Sequence, residues 1–436
     1  MRIFIYAVVS VFVLTSCVQP ELKSQESYIQ KVVSTDSAFI ALLKDGDVVN
    51  WGEKRAAGRE IKEELSHDVE NIYATSSTFA LLKKDKTLFT WGWERNEYAK
   101  DSNVVDVTAN DAAFVALHED GTIKVWGSRV SAGYLYKVPK NVKKVYASKN
   151  SFAALLNDGT VFSWGLVSRD KFIMDGDKKL SGVIDIVGTN EAFTALKSDG
   201  TVVSWGRNTY GGDSKYLDLK DVVSISSNDY AFAALLKDHT VRTWGNEYNG
   251  GNSDYVKLEN IKKIYNNKAS FAALTYDNAV IVWGNEDNGG SQKFVDINSD
   301  VLDITPSYYG YGAIKKDGSA VFWGKDFFAY PHDSEPKSDI GTIRNPKNFV
   351  KSGARKIFAS GDSFAVLKDD GSVETLGTYV YGGYDLNSDV KMLYSNMFCF
   401  VAVKSNGNVI AWGRKGYGSN AWAVAHKLNP LAYKGK

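Results

Sequence analysis

The sequence is short of the residues on which many kinds of protein depend. Its 436 residues include two cysteines, five histidines, seven prolines and four methionines. Two cysteines cannot build a disulfide framework, and the scattered His67, His118, His239, His332 and His426 give no zinc-ligand spacing. These histidines occupy unrelated places and are expected at the surface. An excess of charge of one sign is missing too. Lys plus Arg is 52 and Asp plus Glu is 51; without residues 1–16, which hold one Arg and no acid, the balance is 51 against 51. Such a chain lacks the basic footprint of a nucleic-acid binder. Walker, dinucleotide, HExxH and GxSxG motifs are absent, so no enzyme, catalytic residue, metal or cofactor is expected. What is plentiful is Gly (38), Tyr (24), Phe (21) and Trp (11), the composition of many short strands and tight turns.

A long apolar run occurs only at the start. Met1-Arg2 precedes an apolar stretch over 3–13, followed by Leu14-Thr15-Ser16-Cys17. One basic residue, a short apolar core and a small-residue cleavage region make a secretory signal, too short for a spanning helix. The ending resembles the lipobox of bacterial lipoproteins. That resemblance implies removal of 1–16, acylation of Cys17 (a palmitate-type anchor) and a tether over 17–28. Val18, in place of the Asp that favours inner-membrane retention, leans the expected location in the bacterial cell envelope towards the outer membrane. The membrane is then engaged through lipid only. Cys399, in the apolar run Met397-Phe398-Cys399-Phe400-Val401, reads as a buried structural thiol.

The rest of the chain is one unit repeated. Trp-Gly recurs at 51, 91, 126, 164, 205, 244, 283, 323 and 412, and Leu376-Gly377 fills the one gap. Twelve residues before each Trp (or Leu376) stands Phe, or Tyr311 in one copy, and six residues before it stands Asp, or Asn406 in the last. Gly follows that position in seven copies, with Lys86, His239 and Asn278 as exceptions. Each unit reads as four short antiparallel strands. In 222–258 these are 222–225, 231–236, 240–244 and a weak fourth at 254–258, with a tight Asp-turn between the second and third. Lys86 and His239 suit positive φ poorly, which predicts another turn type there. A unit of about 40 residues with this pattern is a propeller blade, and blades fold by stacking. Small residues such as Ala154, Ala195, Ala234 and Ala273 suit the convergence of blades, with Phe and Trp between neighbours.

The pattern Phe-x-Ala-Leu…Asp-Gly-x-Val-x-x-Trp-Gly resembles the repeats of the RCC1 superfamily. Its short period is similar to that of bacterial members such as β-lactamase inhibitory protein II. The resemblance implies an all-β, β-propeller-like array of about ten RCC1-like repeats over 29–425, with a tail at 426–436. Seven blades are usual in the family; ten units here predict one continuous ring or array. The wider interval before position 376 marks an insertion over 325–353, expected as a surface loop.

The repeated aspartates read as turn caps rather than acid–base catalysts. Asn/Asp/Gly loops such as 285–290 lack the alternating ligands of a calcium loop. Function therefore falls to the surface. In an up-and-down blade the first-to-second and third-to-fourth loops share one face. The loops after Trp-Gly carry Trp93, Tyr98, Tyr134, Tyr210, Tyr248, Phe327, Phe328, Tyr330, Tyr379, Tyr381 and Tyr417, and the first-to-second loops add Tyr230, Tyr308 and Tyr309. Aromatics set among Gly, Asn and Ser make a protein-binding surface. The expectation is a monomeric, lipid-anchored propeller that binds another protein, with no nucleic-acid role. Two alternatives accompany it: inhibition of a cell-wall enzyme or β-lactamase, and a glycan-active enzyme with its site at the channel, for which converging carboxylates would be needed.

Overall fold

The computed structural model describes residues 28–428 except 54–60, 93–99, 129–130, 132–134, 136–137, 167–170, 176–177, 292–294, 325–349, 362, 377–385, 407, 415 and 420. Ten antiparallel sheets follow one another along the chain, at 29–52, 69–101, 104–127, 142–172, 183–206, 222–245, 261–284, 301–324, 354–376 and 390–413, with one small extra hairpin at 174–179. The named helical elements are short 3-10 turns and the α-turn Ala425–Leu428. None of it is long and apolar enough to cross a membrane.

Each blade grows outward from its first strand. The second strand pairs with both the first and the third, placing the aromatic directly opposite Trp, as in Phe232 with Trp244 and Phe271 with Trp283. The two rings stack at 5.2 and 5.1 Å between centroids. A fourth strand is present in two blades, as Lys100–Asp101 and Lys171–Phe172. Elsewhere among the described residues the sequence-predicted fourth strand is reduced. The segment at 254–258 makes one backbone bond to its blade, from Val241 N to Leu258 O, and buries Leu258 instead of extending the ladder. Its polar run 252–255 gives no apolar alternation to hold a longer pairing.

The hairpin turns also differ from expectation. Gly46 N donates to Leu43 O while Leu43 N donates to Asp47 O, the three-residue loop in which only the last position takes positive φ. Lys86, His239 and Asn278 take that position at φ 65°, 64° and 63°, so the non-glycine copies form the same turn. What sets the turn is the preceding Asp. Its carboxylate accepts from the N–H two residues on, at 2.9 Å from Thr201 to Asp199 and 3.0 Å from Thr240 to Asp238.

The core lies between blades. Trp164, Phe152 and Ala154 of the fourth blade pack on Ala113, Val115 and Ile123 of the third, and the same mixture recurs down the chain. An aromatic ring buried this way removes about 150–250 Å² from water, roughly 4–6 kcal/mol of gross transfer free energy. The tenth blade returns to the first. Cys399, Val401 and Val409 share one core with Ile29, Phe39 and Trp51, and Ser34 Oγ reaches Ser395 O. The array is therefore a closed ten-bladed β-propeller. Burial pushes the Cys399 thiol up to about 12, an inert group within this closing interface. Leu428 of the final turn is buried there as well, against the first blade.

Candidate protein-binding face

First strands of successive blades lie against one another and form the inner ring around a central channel. Each first strand ends in a tight turn at one face of the ring. Its key residue is a hydroxyl or amide four residues before the blade aromatic. Asn228 Oδ1 accepts from Tyr230 N and Ala231 N, both at 2.8 Å, and its Nδ2 donates to Asn249 O at 2.7 Å. Asn267 Nδ2 holds Asn288 O at 2.6 Å, Asn396 Nδ2 holds Tyr417 O at 2.9 Å, and Thr189 Oγ1 holds Tyr210 O at 3.0 Å. One side chain thus shapes the first-to-second turn and ties the loop after Trp-Gly onto it. The motif-based reading passes over these residues. The signal that finds them is Ser, Thr or Asn at that place in all ten copies.

The tied loops are 3-10 turns, Asn208–Tyr210, Glu247–Asn249 and Glu286–Asn288, each closed by a left-handed glycine. They lie at the same end of the blades as the first-to-second turns. Of the eleven aromatics predicted for this face, the structure describes Tyr210, Tyr248 and Tyr417. Trp93, Tyr98, Tyr134, Phe327, Phe328, Tyr330, Tyr379 and Tyr381 fall outside the described residues, as do Cys17 and His332. Tyr248 is 84% exposed. Tyr210 is half-buried against Tyr230, with centroids 5.6 Å apart and the Arg207 guanidinium 5.4 Å from its ring. Tyr417 is half-buried edge-on to Phe398, with Arg414 at 4.4 Å. Tyr308 and Tyr309 meet at 4.7 Å under the Lys268 ammonium. Two further exposed rings were not in the predicted set: Tyr216 (85%) and Tyr255 (63%), at equivalent places eleven residues after Trp205 and Trp244. The Tyr255 hydroxyl accepts from Gly284 N at 2.9 Å, placing this ring at the loop-face end of the next blade.

At the centre of this face the turns of blades three to eight surround a cavity of about 490 Å³. Asp111, Lys149, Asn190, Asp229, Lys268 and Tyr308 follow one another around its wall. Backbone bonds lock successive blades there, such as Asn190 N to Asp229 O at 2.9 Å and Asp229 N to Lys268 O at 3.1 Å. Lys149 pairs with Asp111 at 3.7 Å. Burial raises the Asp229 carboxyl above its usual range despite the opposing pull of Lys149, Asn190 and Lys268. The wall alternates in sign and carries no single charge.

The chemistry of the remaining titratable groups is structural. Bonds from Thr or Ser hydroxyls and N–H groups hold the turn carboxylates, including Asp199, Asp238 and Asp317, below their usual range. His118 is mostly buried rather than at the surface, between Asp101 at 3.1 Å and Thr122. His67 and His239 sit among the hairpin turns, and no group of three or more His, Cys, Asp or Glu converges among the described residues.

No protein-family model matches the chain, and no curated protein matches it. Solved structures do. The ectodomain of the receptor kinase CR4 from Physcomitrella patens is 15% identical over 51% of this chain and 63% of its own, with a TM-score of 0.35. This chain thus spans less than two thirds of that ectodomain. The computationally designed Ika8 protein is 18% identical over 71% of this chain and 96% of its own, at 0.34. Prp20p from Saccharomyces cerevisiae, studied with its binding to Gsp1p and histones, is 15% identical over 75% and 86%, at 0.32. Similarity at this level transfers no residue and no partner.

Proposed function

We propose that this chain is a cell-envelope lipoprotein whose propeller is a rigid scaffold for capturing another protein on its loop face. The observation that carries the reading is the way the loops are held. Side chains of the first-to-second turns clamp the 3-10 turns in place, so Tyr248 presents a large exposed ring on a backbone already ordered before binding. A pre-ordered aromatic gives contact area at low entropy cost. Lipid attachment at Cys17 rests on the Leu-Thr-Ser-Cys ending, and the outer-membrane location on Val18 in place of the Asp that favours inner-membrane retention.

Two variants test the two halves. Cys17→Ala should move the protein from the membrane fraction to the soluble envelope fraction; sedimentation at the wild-type level would remove the lipoprotein half. Tyr248→Ala combined with Tyr216→Ala and Tyr255→Ala removes three exposed rings and one exposed hydrogen bond, from Gly284 N to the Tyr255 hydroxyl, so the melting temperature should stay within a few degrees. Capture of envelope protein in a cross-linked pull-down should fall at least about thirty-fold, the weight of one central aromatic anchor. Undiminished capture would reject this face.

A further inference from the structure

The opposite end of the channel carries a second pattern. In every blade the pairing of the first strand slips between its first and third residues, a bulge that leaves the second residue out of the ladder. The bulge lies at the start of the strand, next to the hairpin turns, as Val69 N to Gly46 O and Val142 N to Gly121 O show. The first strand is covered by its own second strand on one edge and by neighbouring blades on both faces. An exposed side chain at its start therefore meets solvent at the mouth of the channel beside the hairpin turns.

The ten bulge positions are not a random solvated set. Four are cations, Lys143, Lys262, Arg355 and Lys391, and Glu70 is the one acid. Four are aliphatic and open to solvent: Val105 (43%), Ile184 (46%), Val223 (53%) and Leu302 (52%). Eleven large hydrophobics are exposed among the described residues, so more than a third of them gather in this ring. The next position inward adds Lys31, Lys144, Lys263 and Lys356 against Asp106, Asp185 and Asp303. Together the two tiers hold eight cations and four acids, in a chain whose totals are 52 and 51. Both charges of the inner tier are partly engaged: Asp303 accepts from the Tyr265 hydroxyl at 2.7 Å and Asp106 from Val107 N at 2.8 Å, while Lys31 donates to Asn71 Oδ1 at 2.7 Å and Lys144 and Lys263 lie over the Tyr146 and Tyr265 rings. Lys143, Lys262 and Arg355 form no ion pair among the described residues.

We infer that this mouth takes an acidic peptide segment of a partner protein, one with aliphatic side chains set between its carboxylates. Lys143, Lys262 and Arg355 interleaved with exposed aliphatics are complementary to that chemistry and to neither a basic nor a purely polar segment. The hairpin turns around the mouth carry nine aspartates, which repel any anion at the rim; a flat anionic bilayer is stopped there, whereas a single extended acidic chain can pass between them to the cations of the first strands. This site stands on the face opposite Tyr248 and is independent of the loop-face reading.

The probe is a fluorescein-labelled twelve-residue peptide of alternating Glu and Leu, titrated against the full chain by anisotropy. Saturable binding is expected, weakened at least about ten-fold between roughly 50 and 500 mM salt. The combined change Lys143→Glu, Lys262→Glu and Arg355→Glu should weaken binding at least about ten-fold at an unchanged melting temperature. Should that variant fold poorly, the neutral Lys143→Gln, Lys262→Gln, Arg355→Gln set serves the same comparison. Val223→Ser with Leu302→Ser should weaken binding as well, and Tyr248→Ala should leave it intact. The proposal is overturned if the peptide does not saturate, if an alternating Lys/Leu peptide binds equally, or if the charge variants bind like wild type. Salt-sensitive binding of phosphatidylglycerol vesicles in place of the peptide would also overturn it, assigning the ring to a lipid surface.

Discussion

At the residue scale the repeated Asp shows how one position can look catalytic and be structural. A carboxylate that accepts an N–H and a hydroxyl two residues on is stabilised in its ionised form, and Asp85, Asp120, Asp158, Asp199, Asp238, Asp317 and Asp370 are all held below the usual range by such bonds. A depressed folded pKa contributes stability that is complete above the unfolded value near 3.9 and is lost as pH falls through the folded value. The melting temperature should therefore be level from about pH 7 to 5 and decline below about 4. Changing Asp199, Asp238 and Asp317 together to Asn keeps the acceptor oxygen and removes the titrating charge. That variant should show a shallower acid limb than wild type in a melting series across pH. An identical limb would mean that other carboxylates control acid unfolding.

At the scale of the element, a blade is three strands, an aromatic pair and a clamped turn. The glycine that ends each clamped turn is fixed by its neighbour as much as by its own backbone. Gly250 has φ +95°, and a Cβ there would come within 2.7 Å of the Phe271 ring in the next blade. Gly416, which precedes Tyr417 and does not hold this place in its blade, has φ +89° with nothing within 4 Å of a Cβ built on it. Gly416→Ala should cost only the left-handed backbone term, about 1–2 kcal/mol. Gly250→Ala should cost roughly 2–4 kcal/mol, because the loop must also move off the next blade. Chemical denaturation of the two variants separates the terms, and equal losses would show that the turn does not seat against Phe271.

For the whole molecule the decisive contact is the last one. Blade ten packs on blade nine through Phe400 and Trp412, and on blade one through Cys399 and Val401, so each half of its surface is committed to a different neighbour. In an open stack, loss of a terminal unit removes one interface and leaves the rest nearly as stable as before. In a closed ring it removes two and exposes two apolar faces. A chain ending at Asp389 should lose its single cooperative melting transition and bind a hydrophobic dye already at room temperature. A sharp transition within a few degrees of the full chain would contradict closure.

The sequence by itself determined the repeat, its register and its chemistry. Trp-Gly, the aromatic twelve residues earlier and the Asp between them are local or cross-strand requirements, repeated often enough to be read without any tertiary knowledge. The buried thiol of Cys399 and the sharing of one face by the Trp-Gly loops and the first-to-second turns were legible for the same reason, since strand alternation and loop parity are properties of the chain. Other features depended on what stands beside each blade. Lys86 and His239 accept positive φ because the Asp cap and the next blade's strand fix the turn around them. The fourth strand is given up at places such as 258, 297 and 350, where one backbone bond and one buried aliphatic, Leu258, Ile297 or Val350, satisfy the outer edge. Tyr210 and Tyr417 are half-buried because Tyr230 and Phe398 reach them from another blade or another loop. The ring of cations and aliphatics at the hairpin mouth exists only because ten bulges from distant parts of the chain converge on one channel. Closure is of the same kind: it depends on the sum of ten small rotations between neighbours, and no single repeat encodes that sum.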